Sequence, residues 1–249
     1  MKYKKGGYIL ELIVKDIVKK FNGVNVLDGV STTFKWGNCY LLLGQNGAGK
    51  STLSKCIAGD LKSDEGSMQI QGSSVNVHEQ VALQYQFFSS YQHLKIREVI
   101  ALFATLTNNR IDLGELYEIL GLPTYDHILM KNASGGQRKA VSIYLSFLLN
   151  KPIIILDEPF ADLDLTKKKQ LMFYLQQEIS QRNKLLIIIS HEVAGLEPLF
   201  DYIVILKEGK IIENATQDEL YNKYTDARLP GIEGLYYEAT GQILGGKAG

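Results

Sequence analysis

Cysteine is scarce in this chain, with two residues in 249, and neither stands at the spacing of a metal ligand set. Cys39 and Cys56 fall in an expected strand and an expected helix, so both read as reduced core thiols of a cytosolic protein. Net charge is also lacking. Acidic and basic residues balance at 27 each, so no overall field draws the chain to nucleic acid or to anionic lipid. No uninterrupted apolar run approaches the ~20 residues that cross a bilayer. Lys2, Lys4 and Lys5 precede no long apolar segment, which argues against a signal peptide. Internal repeats and low-complexity blocks are absent too. What is left is a soluble α/β chain with enough apolar residues for a sizeable core.

The densest signal is GQNGAGKST, from Gly44 to Thr52. Glycine costs more to order than any other residue, so three of them before a lysine need a reason. The apolar run Tyr40 to Leu43 reads as a buried strand, and Lys50 to Ala58 has helical spacing through Leu53, Ile57 and Ala58. A strand-to-helix turn with this wording fits G-x-x-x-x-G-K-[ST]. Its backbone N–H groups and the helix N-terminus form a concavity for phosphate. Gly44, Asn46, Gly47, Gly49 and Thr52 would line that concavity, Lys50 would reach the β- and γ-phosphates, and Ser51 would offer its hydroxyl to Mg²⁺.

Alternation in YILELIV and VLDGVSTTFKWGNCYLLL predicts β-strands, with turns at Asn22–Gly23 and Trp36–Gly37. Ser67 to Val77 is expected to form a further hairpin. Helical periods run from Arg97 to Leu106 and from Asp112 to Leu120, closed by Gly121 and Pro123, within a helical insertion spanning about 87–150. The Ile-rich runs from Ile153 and from Leu185 suit parallel strands buried on both faces. YIVILKEGKII adds a strand and a turn at Glu208–Gly209. One domain is expected over 1–224. The tail, 225–249, is rich in Gly and Tyr, lacks a clear period, and is expected to be partly mobile.

Further motifs narrow the chemistry. Ile153 to Pro159 reads IIILDEP, a buried strand that delivers two carboxylates at the edge where open α/β sheets bind ligands. Asp157 is placed to hold Mg²⁺, and Glu158 to act on the attacking water as general base. ASGGQRK, Ala133 to Lys139, opens an apolar helix with Ser134 as N-cap and Gly135–Gly136 leaving first-turn N–H groups uncovered. A second anion site is redundant within a chain that already has Lys50, unless it caps the γ-phosphate bound by another copy. His191, just beyond a buried strand, could sense γ-phosphate and pair with Glu158. Gln86 could reach Mg²⁺ or the water from a strand end, with Gln84 its rival.

In order, these motifs resemble the ATP-binding cassette (ABC) ATPases. They are GQNGAGKST, a strand-end glutamine, SGGQ, IIILDEP, a D-x-L-D segment and a histidine, and the resemblance covers about Tyr8 to Thr225. It implies a P-loop NTPase core with a mixed, mostly parallel sheet, an N-terminal antiparallel β-subdomain and an inserted α-helical subdomain. It also implies a head-to-tail dimer closing on two Mg-ATP, each held between one copy's phosphate loop and the other's Ser134, Gly135, Gly136 and Gln137. Phe21 in KKFNG matches the adenine-stacking aromatic, alignment from HLKIREVI selects Gln86, and Asp164 matches an aspartate that contacts the partner. The sequence departs from the family at Ala133, usually Leu, and at Ala161–Asp162, usually a small pair. The resemblance further implies a cytoplasmic ATPase, peripheral on the membrane through a separate transmembrane permease subunit, with no nucleic acid partner. Phe87 to Gln92 stand where that permease would dock, or else belong to the subdomain core. The wording of NGAGKST and LFATL favours an exporter of drug, peptide or polysaccharide. An importer ATPase and a transporter-free ATPase of the iron–sulfur-assembly type are the alternatives.

Overall fold

The computed structural model describes residues 10–84, 91–107, 112–191, 193–224 and 231–244. Six strands form the central sheet: β3 (Cys39–Leu43), β5 (Val81–Leu83), β6 (Ile153–Asp157), β7 (Leu185–Ile189), β8 (Tyr202–Lys207) and β9 (Lys210–Thr216). Their order is β5-β6-β7-β3-β8-β9, parallel throughout except for the antiparallel β8–β9 hairpin. A second, antiparallel sheet has the order β2-β1-β4, from β1 (Glu11–Phe21), β2 (Val24–Lys35) and β4 (Glu65–Ile70). The sequence reading of both sheets holds, apart from β4.

The continuous apolar runs have a simple cause. Alternate side chains leave a strand on opposite faces, and here both faces are covered. Leu41, Ile154, Leu156, Leu186, Ile188, Ile203 and Ile205 join one apolar cluster. That cluster is closed by α2 (Ile96–Thr105), α3 (Gly114–Ile119), α4 (Gly135–Leu148), α5 (Leu165–Arg182), α6 (Gln217–Lys223) and α7 (Gly231–Thr240). Their neighbours Tyr40, Leu42, Ile153, Ile155, Leu185, Ile187 and Ile189 face the other way, against α1 (Lys50–Ala58) and the antiparallel sheet. Each fully buried Ile or Leu contributes roughly 1.5–3 kcal/mol relative to exposure. With four adjacent strands buried on both sides, the carboxyl edge of this sheet is a stiff platform.

Local signals explain the ends. Asn22–Gly23 and Glu208–Gly209 take left-handed φ in pairs, at 49° and 80° and at 50° and 77°, as two-residue hairpin turns require. Gly121, at φ 68°, follows α3 and its C-cap. Two expectations differ from the structure. Ser67 to Val77 forms no hairpin: β4 pairs with β1 alone, and after Gly72 the chain enters a short 3₁₀ turn, Val77–Gln80, capped by Asn76 and held by buried Val77. The tail, read as lacking a period, contains α7, with Ile232, Leu235 and Tyr236 buried in the core. Those three lie at i, i+3 and i+4, a helical stripe that Gly231 and Gly234 obscure in the sequence.

Candidate functional site

The ends of β3, β6 and β7 converge on one cavity of ≈ 330 Å³. It is lined by Val26, Gln45, Asn46, Gly47, Gly49, Lys50, Ser51, Thr52, Asp157, Glu158, Ile189 and His191. The strand order explains the meeting. β7 lies between β6 and β3, so three consecutive strand ends deliver the acidic pair, His191 and the glycine loop side by side.

The loop from Gly44 to Gly49 is shaped by close approaches. A Cβ on Gly44 would stand 2.4 Å from the Leu206 carbonyl oxygen, and one on Gly49 2.8 Å from that of Val26. Gly49 also takes φ 107°. Gly47 differs: at φ 84° it has no heavy atom within 4 Å of an added Cβ, so its missing side chain leaves open space. The loop runs into α1, whose N-cap Gly49 provides no side-chain cap, leaving the first-turn N–H groups to the cavity. Lys50 Nζ donates to the carbonyls of Gly44 at 2.5 Å and Gln45 at 3.0 Å. Burial pulls the Lys50 pKa down, against the opposing pull of Asp157 and Glu158.

Glu158 is the most constrained residue of the site. Its N–H donates to Ile189 O at 2.8 Å and its φ is 50°, a left-handed conformation that a β-carbon disfavours. The carboxylate accepts from the His191 N–H at 2.9 Å and from Ser190 Oγ at 3.0 Å. His191 Nε2 lies 3.7 Å from the same carboxylate. Burial raises the Glu158 pKa above its ordinary value, with His191 the main opposing influence. A carboxyl with raised proton affinity, held by two donors, suits a general base. His191 Nδ1 is buried with no hydrogen-bond partner among the described residues, so the site holds one polar atom still to be matched.

Two contacts were not legible in the sequence. Ser190 orients Glu158, a role that needs the β6–β7 register to appear. Gln84, weighed as the rival of Gln86, is buried, and its side-chain oxygen accepts from the Asp157 N–H at 2.8 Å. It therefore fixes the backbone that carries Asp157. Gln86 lies outside the described residues, as do Phe87 and Phe88.

The remaining candidates lie away from the cavity lining. Phe21 ends β1, is 45% exposed, and has Lys19 Nζ 5.7 Å from its ring centroid. Ser134 caps α4 in a reciprocal box, accepting from the Gln137 N–H while the Gln137 side chain accepts from the Ser134 N–H. Gly135 is exposed beside them, with Gly136 partly so. Asp164 caps α5 by accepting from the Lys167 N–H. Asp162, the departure noted above, takes φ 66°, where aspartate is tolerated better than most residues, and pairs with Lys139 at 3.9 Å.

A family model described as "ABC transporter" matches residues 27–161, from β2 through the acidic pair. The chain belongs to the ABC transporter family. As an ABC ATPase it binds and hydrolyses ATP. A relative named "Probable sulfate/thiosulfate import ATP-binding protein CysA", from Chlorella vulgaris, is 27% identical over 91% of this chain and 100% of its own length. A ribose import ATP-binding protein, RbsA, from Caldanaerobacter subterraneus is 31% identical over 84% of this chain, which spans 45% of that relative. A spermidine/putrescine import ATP-binding protein, PotA, from Mycoplasma capricolum is 28% identical over 91% of this chain and 66% of its own. Among solved structures, an ATP-binding subunit of an ABC transporter superposes with a TM-score of 0.79 and 27% identity, covering 94% of this chain and 100% of that one. A dimeric ATP-binding cassette bound to ADP and phosphate shares the fold at a TM-score of 0.71 and 21% identity, over 82% of this chain and 98% of its own. ABC ATPases dimerise and work with membrane permeases. Among the described residues of this ABC ATPase, no helix is long and apolar enough to cross a membrane.

Proposed function

We propose that this ABC ATPase acts in pairs on Mg-ATP and drives a separate transmembrane permease. One observation carries the reading: Lys50, Asp157, Glu158 and His191 line the same cavity as the glycine loop. In this reading Gly44, Asn46, Gly47, Gly49, Lys50, Ser51 and Thr52 hold the phosphates, and Phe21, exposed at the end of β1, stacks on adenine. Glu158 takes the proton of the attacking water, and His191 orients Glu158 and meets the γ-phosphate. Ser51, Asp157 and Gln86 would hold Mg²⁺. Mg²⁺ keeps several waters and binds through one or two carboxylates plus substrate phosphates, which suits one carboxylate and a hydroxyl at this site. Bound there, Mg²⁺ supplies charge neutralisation across the phosphates.

The pairing rests on the second helix end. Ser134, Gly135, Gly136 and Gln137 are absent from the cavity lining of their own chain, which supports a reading in which they meet the γ-phosphate bound by a second copy. Asp164, capping α5 nearby, would face that copy. Specific ATPase activity should therefore rise with protein concentration before reaching a plateau. Activity per chain that stays constant from nanomolar to micromolar protein refutes the pairing.

The relatives above bear on direction. All three carry import in their names, for sulfate or thiosulfate, ribose, and spermidine or putrescine. They support an importer ATPase over the exporter expected from NGAGKST and LFATL. Either reading places the chain at the cytoplasmic membrane face through its permease.

A further inference from the structure

We propose that Lys207 is a positioning residue that ties the C-terminal helix α7 to the phosphate loop and so sets the affinity for nucleotide. Lys207 ends β8, one residue before the left-handed pair Glu208–Gly209. One side of this hairpin bears on the loop. Gly209 N–H donates to Ala48 O at 3.2 Å, and Gly209 O accepts from the Asp28 N–H at 2.9 Å. Leu206 O is the atom that leaves Gly44 no room for a Cβ, and Leu206 Cδ2 would stand 3.4 Å from a Cβ on Gly49. A Cβ on Gly209 would itself lie 2.8 Å from Val26 O, and Val26 lines the cavity. The Gly209–Ala48 hydrogen bond joins hairpin to loop, and the missing side chains of Gly44, Gly49 and Gly209 let the backbones approach closely, so a shift of one bears on the other. A displaced hairpin strains the Gly209–Ala48 hydrogen bond and so disturbs the loop.

The other side of the hairpin holds the tail. Lys207 Nζ donates to Thr240 O at 3.0 Å, the last residue of α7. Its ammonium thus satisfies a carbonyl at the negative end of a helix. That helix end is well defined: Thr240 Oγ donates to Tyr236 O at 2.7 Å, and Gly241, at φ 71°, donates its N–H to Tyr237 O at 2.7 Å. Ile232, Leu235 and Tyr236 anchor the same helix in the core. The path from α7 to the phosphates is therefore one charged hydrogen bond, one two-residue turn and one loop. Anything that pulls α7 from its seat, including a partner that binds the tail, loosens the hairpin and weakens nucleotide binding.

The inference rests on the phosphate-loop reading above. The full-length chain is compared with Lys207→Met, which keeps the stem and loses the donor, and with Lys207→Arg, which keeps a donor. Lys207→Met should raise the Kd for Mg-ATP about three- to tenfold, the size of one ordinary net hydrogen bond, because only part of a charged bond's strength reaches the loop, with kcat at saturation little changed. Lys207→Arg should restore most of the affinity. Coupling is reciprocal, so Mg-ATP should slow hydrogen exchange at Gly241 and Gln242 in the unmodified chain. That second measurement needs no variant. An unchanged Kd in Lys207→Met, or exchange at those amides that ignores ATP, overturns the proposal. Failure of the unmodified chain to bind ATP at all overturns the phosphate-loop reading and this one with it.

Discussion

Replacing Glu158 with glutamine separates the chemistry of the site from its architecture. The carboxylate accepts from the His191 N–H at 2.9 Å and from Ser190 Oγ at 3.0 Å. A glutamine oxygen can keep the first contact, and the Ser190 hydroxyl can turn to accept from the amide. Shape therefore survives while the proton acceptor is lost. General-base assistance contributes about 10²–10⁴-fold, or roughly 3–5 kcal/mol of barrier, and kcat should fall by that factor. ATP affinity should hold or tighten, because a negative charge beside the phosphates is gone, and the paired form should accumulate under Mg-ATP. Stability moves the opposite way. Burial raises the Glu158 pKa, so the folded chain holds its proton to higher pH than the unfolded chain. Its stabilising protonated form is fully present below the ordinary value of 4.5, and stability falls as pH rises from there through the folded pKa. Glutamine has no such loss, so Glu158→Gln should melt higher than the parent at pH 7 and converge with it below pH 4.5. Phosphate release and paired melts at two pH values test both halves. Hydrolysis within tenfold of the parent refutes the general-base role, and a Tm difference independent of pH refutes the burial argument.

Two more substitutions probe the anion sites. Ser134→Arg should abolish hydrolysis while leaving monomer affinity for ATP, read by calorimetry, within about twofold, because Ser134 lies outside its own chain's cavity. Ser134→Ala serves as the capping control and costs about 1 kcal/mol of helix stability; equal turnover in Ser134→Arg and the parent would exclude a role across the pair. Gly49→Ala forces a Cβ to 2.8 Å from Val26 O at φ 107°, strain of about 1–3 kcal/mol. A thermal melt should show a Tm drop of about 2–10 °C together with lost ATP binding, and an unshifted Tm contradicts the steric account.

Legibility followed the range of the interaction. β3, the glycine loop and α1 are written in consecutive residues, and the expected helix, Lys50 to Ala58, is the observed one. β6 and β7 were readable because burial on both faces leaves no polar position in Ile153–Leu156 or Leu185–Ile189. Ser73 to Val75 looked like a returning strand because Gly72 sits where a hairpin turn would, yet β1 already pairs with β2 on its other edge and β4 closes the sheet. The helix α7 is obscured in the sequence by glycines and tyrosines, and its stripe gains meaning only from the distant core residues it joins. Gln84 and Ser190 act through hydrogen bonds across 73 and 32 residues, a separation that local patterns cannot encode.

The two helix ends proposed above as anion sites are finished differently, and the difference bears on why pairing should depend on ATP. At α1 the N-cap is a glycine with no side-chain bond, so the first-turn donors face the cavity uncapped. At α4 the Ser134–Gln137 box already satisfies two donors within the chain. A phosphate arriving from a second copy would have to displace part of that box, at a cost of about 1 kcal/mol per cap. α4 is therefore capped without a ligand, and only the Gly135 and Gly136 N–H groups stay outside the box. Opening it becomes favourable only when a triphosphate already seated on the facing loop supplies charge-assisted bonds, each roughly twice as strong as a neutral one. An uncapped end that binds first and a capped end that yields second would make closure follow ATP, and release follow the loss of the γ-phosphate.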